Sequence, residues 1–198
     1  VPIVILSQYL KGYSCVYHDD YQAARNLAEY LARSGRRFGY LGVTQQDEAV
    51  GRERLRGVLD AAAAAGAILP KENILECRFQ MESGFLQAKE LLQRDPDLDT
   101  IICATDTIAV GALQYIKSAG KRVPDDIQIA GIGDSTLTRV TEPLLTTVHL
   151  HFEEAGTQAA RLLVELIQNG KDAAHKEVKL DSRLIVQEST RTGGTEFL

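Results

Sequence analysis

The chain has 198 residues, of which 44% are hydrophobic and 25% are charged, a composition typical of one globular domain or two small lobes. Its 22 basic residues are outnumbered by 27 acidic ones, which gives a formal net charge of −5. A chain this acidic does not bind nucleic acid by neutralising phosphates with its own surface, and it has no apolar run of 18 residues that would span a membrane.

Most of the sequence alternates between apolar, β-branched runs and runs with helical spacing. Strands are predicted at residues 1–6, 14–18, 38–43, 73–77, 100–104 and 127–132. Helices are predicted from Asp19 or Asp20 to Gly35 and over 50–65, 82–93 and 106–120, with Asp106 as the N-cap of the last. Each strand–helix unit takes about 30 residues, the length of a right-handed crossover in a parallel sheet. The pattern predicts an α/β fold with a doubly wound parallel sheet.

The pattern changes after Gly133. Residues 134–145 are rich in turn formers, and 146–149 form a short extended piece. An amphipathic helix follows and ends at Asn169-Gly170; its apolar stripe consists of Phe152, Ala155, Ala159, Leu162, Leu163, Leu166 and Ile167. Two further extended runs are predicted at 176–180 and 184–187.

Several motifs that indicate a nucleotide cofactor or a hydrolase are missing from the sequence. Gly131-Ile132-Gly133 lacks the third glycine of GxGxxG, no Walker lysine follows a glycine-rich loop, and there is no GxSxG elbow. His149 and His151 share one face of a strand, but no acidic or thiol ligand lies at matching spacing, so we favour a strand edge over a metal site. We therefore expect no catalytic residues, no cofactor and no metal.

Two other potential sites have structural explanations. Helix capping explains the aspartates of His18-Asp19-Asp20 better than metal binding does. The three cysteines, Cys15, Cys77 and Cys103, form neither an even set nor a CxxC pair. We expect them to be reduced, buried thiols in a cytoplasmic protein.

Ligands of an open α/β sheet bind in the loops that follow the carboxyl ends of its strands. Those loops hold Asp19, Asp20, residues 45–54, Phe79, Thr105-Asp106 and Gly133-Asp134-Ser135. Carboxylates and an arginine bind paired hydroxyls, and a ring covers an apolar sugar face, so the loops indicate a cleft for a polar small molecule. The alternatives are that Asp106 only caps a helix, that Phe79 is in the core, and that Arg52, Arg54 and Arg56 form a solvated helix face.

At these loops the sequence resembles the effector-binding core of the LacI/GalR family of bacterial transcription repressors. The matching stretches run through nearly the whole chain in the order of the family. They are VPIVIL, VYHDDYQAARNLAEYLARSGRRFGYLG, RERLRG, SGFLQAKELL, ICATDTIAVGALQYIKSAGKRVPDDIQIAGIGDS, EPLLTTVH and LIVQEST. The HDD opening, CATDT and GIGDS are most similar to regulators of sucrose or trehalose genes.

The resemblance implies a periplasmic-binding-protein-like fold of type I, a two-lobe sensor of which this chain holds mostly the C-terminal lobe. Residues 1–13 would be the last strand of the N-terminal lobe and a crossover, and 14–145 the C-terminal lobe. Residues 146–171 would be a crossover and a helix of the N-terminal lobe, and 172–198 strands and tail of the C-terminal lobe. In the isolated chain the apolar stripe of that helix would be exposed.

The resemblance also implies the ligand contacts. Arg54 matches the ligand-binding arginine of the family, and Phe79 matches the aromatic residue that stacks on the ligand. The remaining implied positions are Thr105, Asp106, Gly133, Asp134 and Leu150. Thr105 replaces a common asparagine, Gly133 a commonly acidic contact and Leu150 a common polar residue, so the identity of the sugar stays open.

The function that the resemblance implies is sugar sensing without chemistry. Sucrose, trehalose or a sugar phosphate would shift the orientation of the lobes and so change the affinity for operator DNA. The DNA would be bound through an N-terminal helix-turn-helix outside this chain, and the protein would be a homodimer with no membrane contact. A periplasmic sugar-binding protein of a transporter is the alternative. An α/β enzyme with Asp106 or Asp134 as acid–base is less favoured, because nothing orients a nucleophile.

Overall fold

The structure, a computed structural model, describes residues 1–169 and 174–191. The chain forms two compact units. Among the described residues, the smaller consists of those in Val1–Asp19 and Leu150–Ser182, and the larger of Asp20–His149 and residues 183–191. The chain therefore passes from one unit to the other three times.

The order of elements follows the predicted alternation. The strands are β1 Val4–Leu6, β2 Ser14–His18, β3 Phe38–Gly42, β4 Ile74–Glu76, β5 Thr100–Cys103, β6 Gln128–Ala130, β7 Thr147–Leu150, β8 Glu177–Leu180 and β9 Ser182–Ile185. The α-helices are α1 Asp20–Leu31, α2 Arg54–Ala65, α3 Met81–Arg94, α4 Asp106–Ser118 and α5 Phe152–Asn169. Gly170, the predicted end of α5, lies outside the described residues.

The larger unit is built on a parallel sheet with the strand order β4-β3-β5-β6. Helix α1 packs on α2, and α3 packs on α4. Leu41 and Val43 of the β3 segment pack with residues of α3 and α4 in the main core, so the alternate residues Tyr40 and Gly42 face the other side of the sheet. Helices therefore cover both faces, which confirms the doubly wound α/β prediction.

Glycines allow α3 and α4 to approach each other closely. A Cβ atom on Gly111 would lie 1.8 Å from the carbonyl oxygen of Met81, and one on Gly84 would lie 2.2 Å from that of Ile108. The helices can therefore pack only because both positions lack a side chain. Beneath them lies a core that is closed to solvent and includes Leu91, Ile101 and Ile108.

The smaller unit has a three-stranded parallel sheet with the order β1-β2-β8. Helix α5 packs on it through the buried Ala155 and Leu162, which contact Val16 and its neighbours. The rest of the helix stripe is uneven: Phe152, Leu163 and Ile167 are exposed. The apolar surface that we expected on this helix is therefore present, but only on part of the stripe.

The positions of β2 and β8 correct the predicted lobe boundaries. Residues 14–18 and 174–182 were expected in the C-terminal lobe, but they belong to the smaller unit. The reason is pairing: β2 lies between β1 and β8 with Ile5 opposite Cys15 and Val16 opposite Val178. Strand β9 also begins two residues earlier than predicted and pairs with β7.

Two helix starts differ from the predicted ones. Thr105, not Asp106, is the N-cap of α4, because its hydroxyl accepts a hydrogen bond from the Ile108 amide at 3.4 Å. A π-helical segment, Glu48–Glu53, precedes α2 and is capped by Asp47, whose carboxylate accepts from the Val50 amide. The three cysteines are free and buried, as predicted. No helix within the described ranges is long and apolar enough to cross a membrane.

Candidate functional site

The strand order of the larger unit places a crevice at the carboxyl ends of β3 and β5. From β3 the chain runs outward to β4 and then returns past β3 to β5, so the direction of winding reverses between these two strands. The crossover helices then leave on opposite faces, and the loops at that edge of the sheet separate. The helices α2 and α4 begin in this region, directly after the loops that follow β3 and β5.

A buried ion pair joins the first turns of α1 and α2. Nε of Arg54 donates to Oδ1 of Asp20 at 2.7 Å, Nη2 lies 2.6 Å from the same oxygen, and each side chain is less than a tenth exposed. Nη1 of Arg54 donates to the carbonyl oxygen of Ala104, just after β5, at 2.5 Å. Arg54 is therefore not on a solvated helix face, whereas Arg52 and Arg56 are more than half exposed.

Asp20 lies in one of the loops that predicted the cleft, but it was not among the ligand contacts that the resemblance implies. We attributed its carboxylate to helix capping, but the structure uses it to hold Arg54. Its neighbour Asp19 instead pairs with Lys179 at 2.7 Å. Asp20 belongs to the HDD stretch that the family shares, which marked it as a candidate. Its pairing with Arg54 could be assigned only once α1 and α2 were known to be adjacent.

Asp106 organises the loop that follows β6. Its carboxylate accepts from the Ser135 amide at 2.8 Å and from the Thr147 hydroxyl at 2.6 Å, and the residue is 2% exposed. Burial raises the pKa of this carboxyl, and the hydrogen bonds from Ser135 and Thr147 oppose the rise. Each carboxylate oxygen accepts a hydrogen bond within the protein, and Asp106 thereby positions the loop that follows β6.

Gly133 and Asp134 follow β6 in unusual backbone conformations. Gly133 has φ of 140°, and Asp134 has φ of 49°, a left-handed conformation that few non-glycine residues adopt. The Asp134 amide donates to the Thr147 hydroxyl, and its carboxylate lies 2.8 Å from Nδ1 of His149 and 3.3 Å from Arg139. Thr147 thus holds the loop through the Asp134 amide, and His149 and Arg139 hold it through the Asp134 carboxylate, which lies at the edge of the site.

The other predicted site residues differ in their exposure. Thr105 follows Ala104, the carbonyl of which binds Arg54, and its hydroxyl caps α4. Phe79 lies after β4 and is 52% exposed, so the alternative that it belongs to the core is wrong. Leu150 is 2% exposed and belongs to the smaller unit, so it is not one of the residues that the larger unit brings together.

The histidines that we considered as metal ligands lie beside carboxylates or an aromatic ring. His149 pairs with Asp134, and His151 lies 3.6 Å from Asp181. The ring of His18 packs edge-on against Phe152, with 5.1 Å between the ring centroids. Across residues 1–169 and 174–191, no three side chains of the metal-binding types form a group.

Comparison with known proteins gives the class of this fold. The family profile of the periplasmic binding protein-like domain matches residues 28–190. The transcriptional regulator CelR–cellobiose complex has a TM-score of 0.84 and 33% identity, covering 89% of this chain and 54% of that one. Transcriptional regulator LacI from Bacillus cereus subsp. cytotoxis has a TM-score of 0.89 and 30% identity, covering 96% of this chain and 68% of that one. The chain belongs to the periplasmic binding protein-like family, in the form found in LacI/GalR regulators.

Two curated relatives show which members of the family this chain is similar to. It is 33% identical to the HTH-type transcriptional regulator CelR of Thermobifida fusca over 86% of this chain and 50% of CelR. It is 32% identical to the sucrose operon repressor of Staphylococcus xylosus over 85% of this chain and 52% of that repressor. The chain thus spans about half the length of the curated relatives that it matches.

Proposed function

We propose that this chain is the effector-binding module of a cytoplasmic, sugar-sensing transcription repressor and not an enzyme. The observation that carries the proposal is the buried Asp20–Arg54 pair at the switch point of the sheet, in a chain of this family. A buried ion pair costs desolvation free energy, and placing it where α/β sheets bind ligands puts charge-assisted donors and acceptors in reach of a polar effector.

The effector that we propose is a disaccharide or its phosphate. The site supplies carboxylate oxygens, guanidinium N–H groups and one exposed aromatic ring, which together suit hydroxyls on one face of a sugar and C–H groups on the other. CelR, one of the relatives, forms a complex with cellobiose, and another relative is a sucrose operon repressor. We therefore propose sucrose, trehalose and cellobiose, with their 6-phosphates, as the sugars to test.

The predicted contact residues of the larger unit receive roles in this proposal. Arg54, held by Asp20, donates to a hydroxyl or phosphate oxygen, and Phe79 stacks on the sugar ring. Thr105, Gly133 and Asp134 line the edge between the ends of β5 and β6. Leu150, the last residue of β7, is buried in the smaller unit and receives no role. Asp106 fixes the 133–135 loop from below.

The mechanism that we propose is a shift between two arrangements of the lobes. An effector that binds one arrangement more tightly increases its population by the difference in binding free energy. In a dimer that carries helix-turn-helix domains on the part of the protein outside this chain, such a shift would change the affinity for operator DNA. No covalent step is involved.

A periplasmic sugar-binding protein with the same fold remains the second candidate, and the relatives favour the repressor. CelR and the sucrose operon repressor are both regulators of transcription. The sequence upstream of Val1 distinguishes the two candidates, since a repressor has a helix-turn-helix there and a transported binding protein has a signal peptide.

A thermal-shift screen of the intact protein tests the proposal. Each of the six sugars is added at millimolar concentration, and we expect at least one to raise the melting temperature, because a ligand that binds only the native state stabilises it. Glucitol and inositol serve as polyol controls that lack a glycosidic bond. No change with any of the six sugars would contradict the proposed function.

A further inference from the structure

Tyr40 carries a polar atom that the fold itself does not use. The residue lies in the middle of β3, in the centre of the larger sheet, and is 1% exposed. Its hydroxyl is buried, and within the described part of the chain it has no hydrogen-bond partner. A buried hydroxyl without a partner costs free energy, and phenylalanine would occupy nearly the same space without that cost.

The ring of Tyr40 leans toward the carboxyl end of its strand. A Cβ atom on Gly42, two residues further along the same face, would lie 2.5 Å from Cε1 of Tyr40. Gly42 therefore leaves room for the ring to lie along the strand, in the direction of the edge where the loops hold the candidate site. The hydroxyl, at the far end of the ring, is the part of Tyr40 nearest to that edge.

The Asp20–Arg54 pair lies on the same side of the sheet. A Cβ atom on Gly39 would contact Leu91 of α3, so the odd-numbered face of β3 belongs to α3 and α4 and the face of Tyr40 to α1 and α2. Asp20 and Arg54 are the first residues of α1 and α2. Burial raises the pKa of the Tyr40 phenol, while the charge of Arg54 lowers it and that of Asp20 raises it, so both charges act on the phenol.

We propose that the Tyr40 hydroxyl is a specificity-determining contact of the effector site: it hydrogen-bonds the effector oxygen that Arg54 binds, from the floor of the site. The inference rests on the proposed sugar-sensing function and adds a residue to it. The Arg54 guanidinium has five N–H groups, of which one donates from Nε to Asp20 and one from Nη1 to the Ala104 carbonyl. N–H groups that are left over, with the phenol O–H, can surround one hydroxyl or phosphate oxygen.

The phenol of Tyr40 is better suited to binding a sugar hydroxyl than to binding a carboxylic acid. A buried phenol stays protonated at neutral pH, so it can donate to an effector oxygen and accept from a sugar hydroxyl at the same time. A hydroxyl both donates and accepts, and it can satisfy the phenol and the guanidinium together. An effector that lacks this oxygen would leave two buried polar groups unpaired and would bind more weakly.

Tyr40→Phe tests the inference, because it removes only the oxygen. In the intact protein we expect an unchanged or higher melting temperature without sugar, since the hydroxyl has no partner in the fold to lose. Calorimetric affinity for the sugar that stabilises the wild type most should fall about tenfold. Tyr30→Phe is the matched control: its hydroxyl bonds to Thr190 and to the Arg191 carbonyl, so this variant should lose stability and keep its affinity for the sugar.

Three outcomes would overturn the inference. A lower melting temperature of Tyr40→Phe without sugar would show that the hydroxyl serves the fold. Equal affinities of the Tyr40→Phe variant and the wild type would show that the hydroxyl does not touch the effector, while leaving the sugar-sensing function intact. Failure of the wild type itself to bind any of the six sugars would instead contradict the proposed function, and the role of Tyr40 with it.

Discussion

Phe79 is a residue whose exposure predicts what its removal would do. More than half of the side chain is exposed, so Phe79→Ala should lower the free energy of unfolding by less than about 0.5 kcal/mol. If the ring stacks on a sugar, the same change should weaken sugar binding by about 1 kcal/mol. Leu86→Ala, which truncates a side chain that is 54% exposed on α3, is the control and should leave binding unchanged. Equal affinities of the Phe79→Ala variant and the wild type would remove Phe79 from the site.

Single residues also show where the sequence is informative and where it is not. Arg54 could be assigned from its spacing to Gly57 in the resemblance, yet nothing local indicates that it is buried against Asp20, 34 residues earlier in the chain. Asp106 looked like a helix cap because it follows a strand, and only the folded loop shows that Ser135 and Thr147 use its carboxylate. Tyr40 looked like an ordinary strand residue. Long-range contacts decide all three roles.

Among the elements, the α3–α4 pair depends most visibly on residue size. Gly111→Ala should force the helices apart at the Met81 carbonyl and lower the free energy of unfolding by about 1–3 kcal/mol. Gly156→Ala in α5 is the matched control: a Cβ there meets nothing within 4 Å, so it should be neutral or stabilise by up to about 1 kcal/mol. Urea unfolding of this chain measures both. A Gly111→Ala variant as stable as the wild type would contradict the close approach.

Elements were predicted well where their signal is local. The bounds of β2 match the prediction, and α2 ends at the predicted residue 65, where the left-handed backbone of Gly66 caps it. The assignment of β2 and β8 to a lobe was wrong because it depends on pairing between residues about 160 positions apart, such as Cys15 and Glu177. Periodicity predicts that a strand exists and which of its faces is buried, but not which strand lies beside it.

For the whole molecule, we propose a homodimer that forms through a groove of about 300 Å³ on the larger unit. Val110, Leu113 and Leu137 give it an apolar lining, and Val140, which is 78% exposed, stands at its rim. Lys117 and Glu142 add opposite charges on the same patch. This patch therefore combines a groove, a protruding apolar side chain and charges of both signs. A two-fold interface between two copies requires such a self-complementary surface.

Sedimentation equilibrium of the intact protein tests this interface. We expect a dimer at micromolar concentration, dissociation to monomers in Val140→Asp, and no change in Leu59→Asp, which places the same charge on an exposed position of α2. A wild-type monomer would contradict the dimer itself. A Val140→Asp protein that is still dimeric would place the interface on another surface.

The buried Asp20–Arg54 pair at the switch point is the group that we propose binds the sugar. Calorimetric titration of the intact protein with the sugar that stabilises it most, in the wild type and in the double variant Asp20→Asn/Arg54→Gln, measures this directly. The variant replaces the ion pair by a neutral amide pair, so no buried charge is left without a partner. We predict one site per chain in the wild type and at least about tenfold weaker binding in the folded variant. Equal affinity in the two proteins, or no binding by the wild type, would contradict the account.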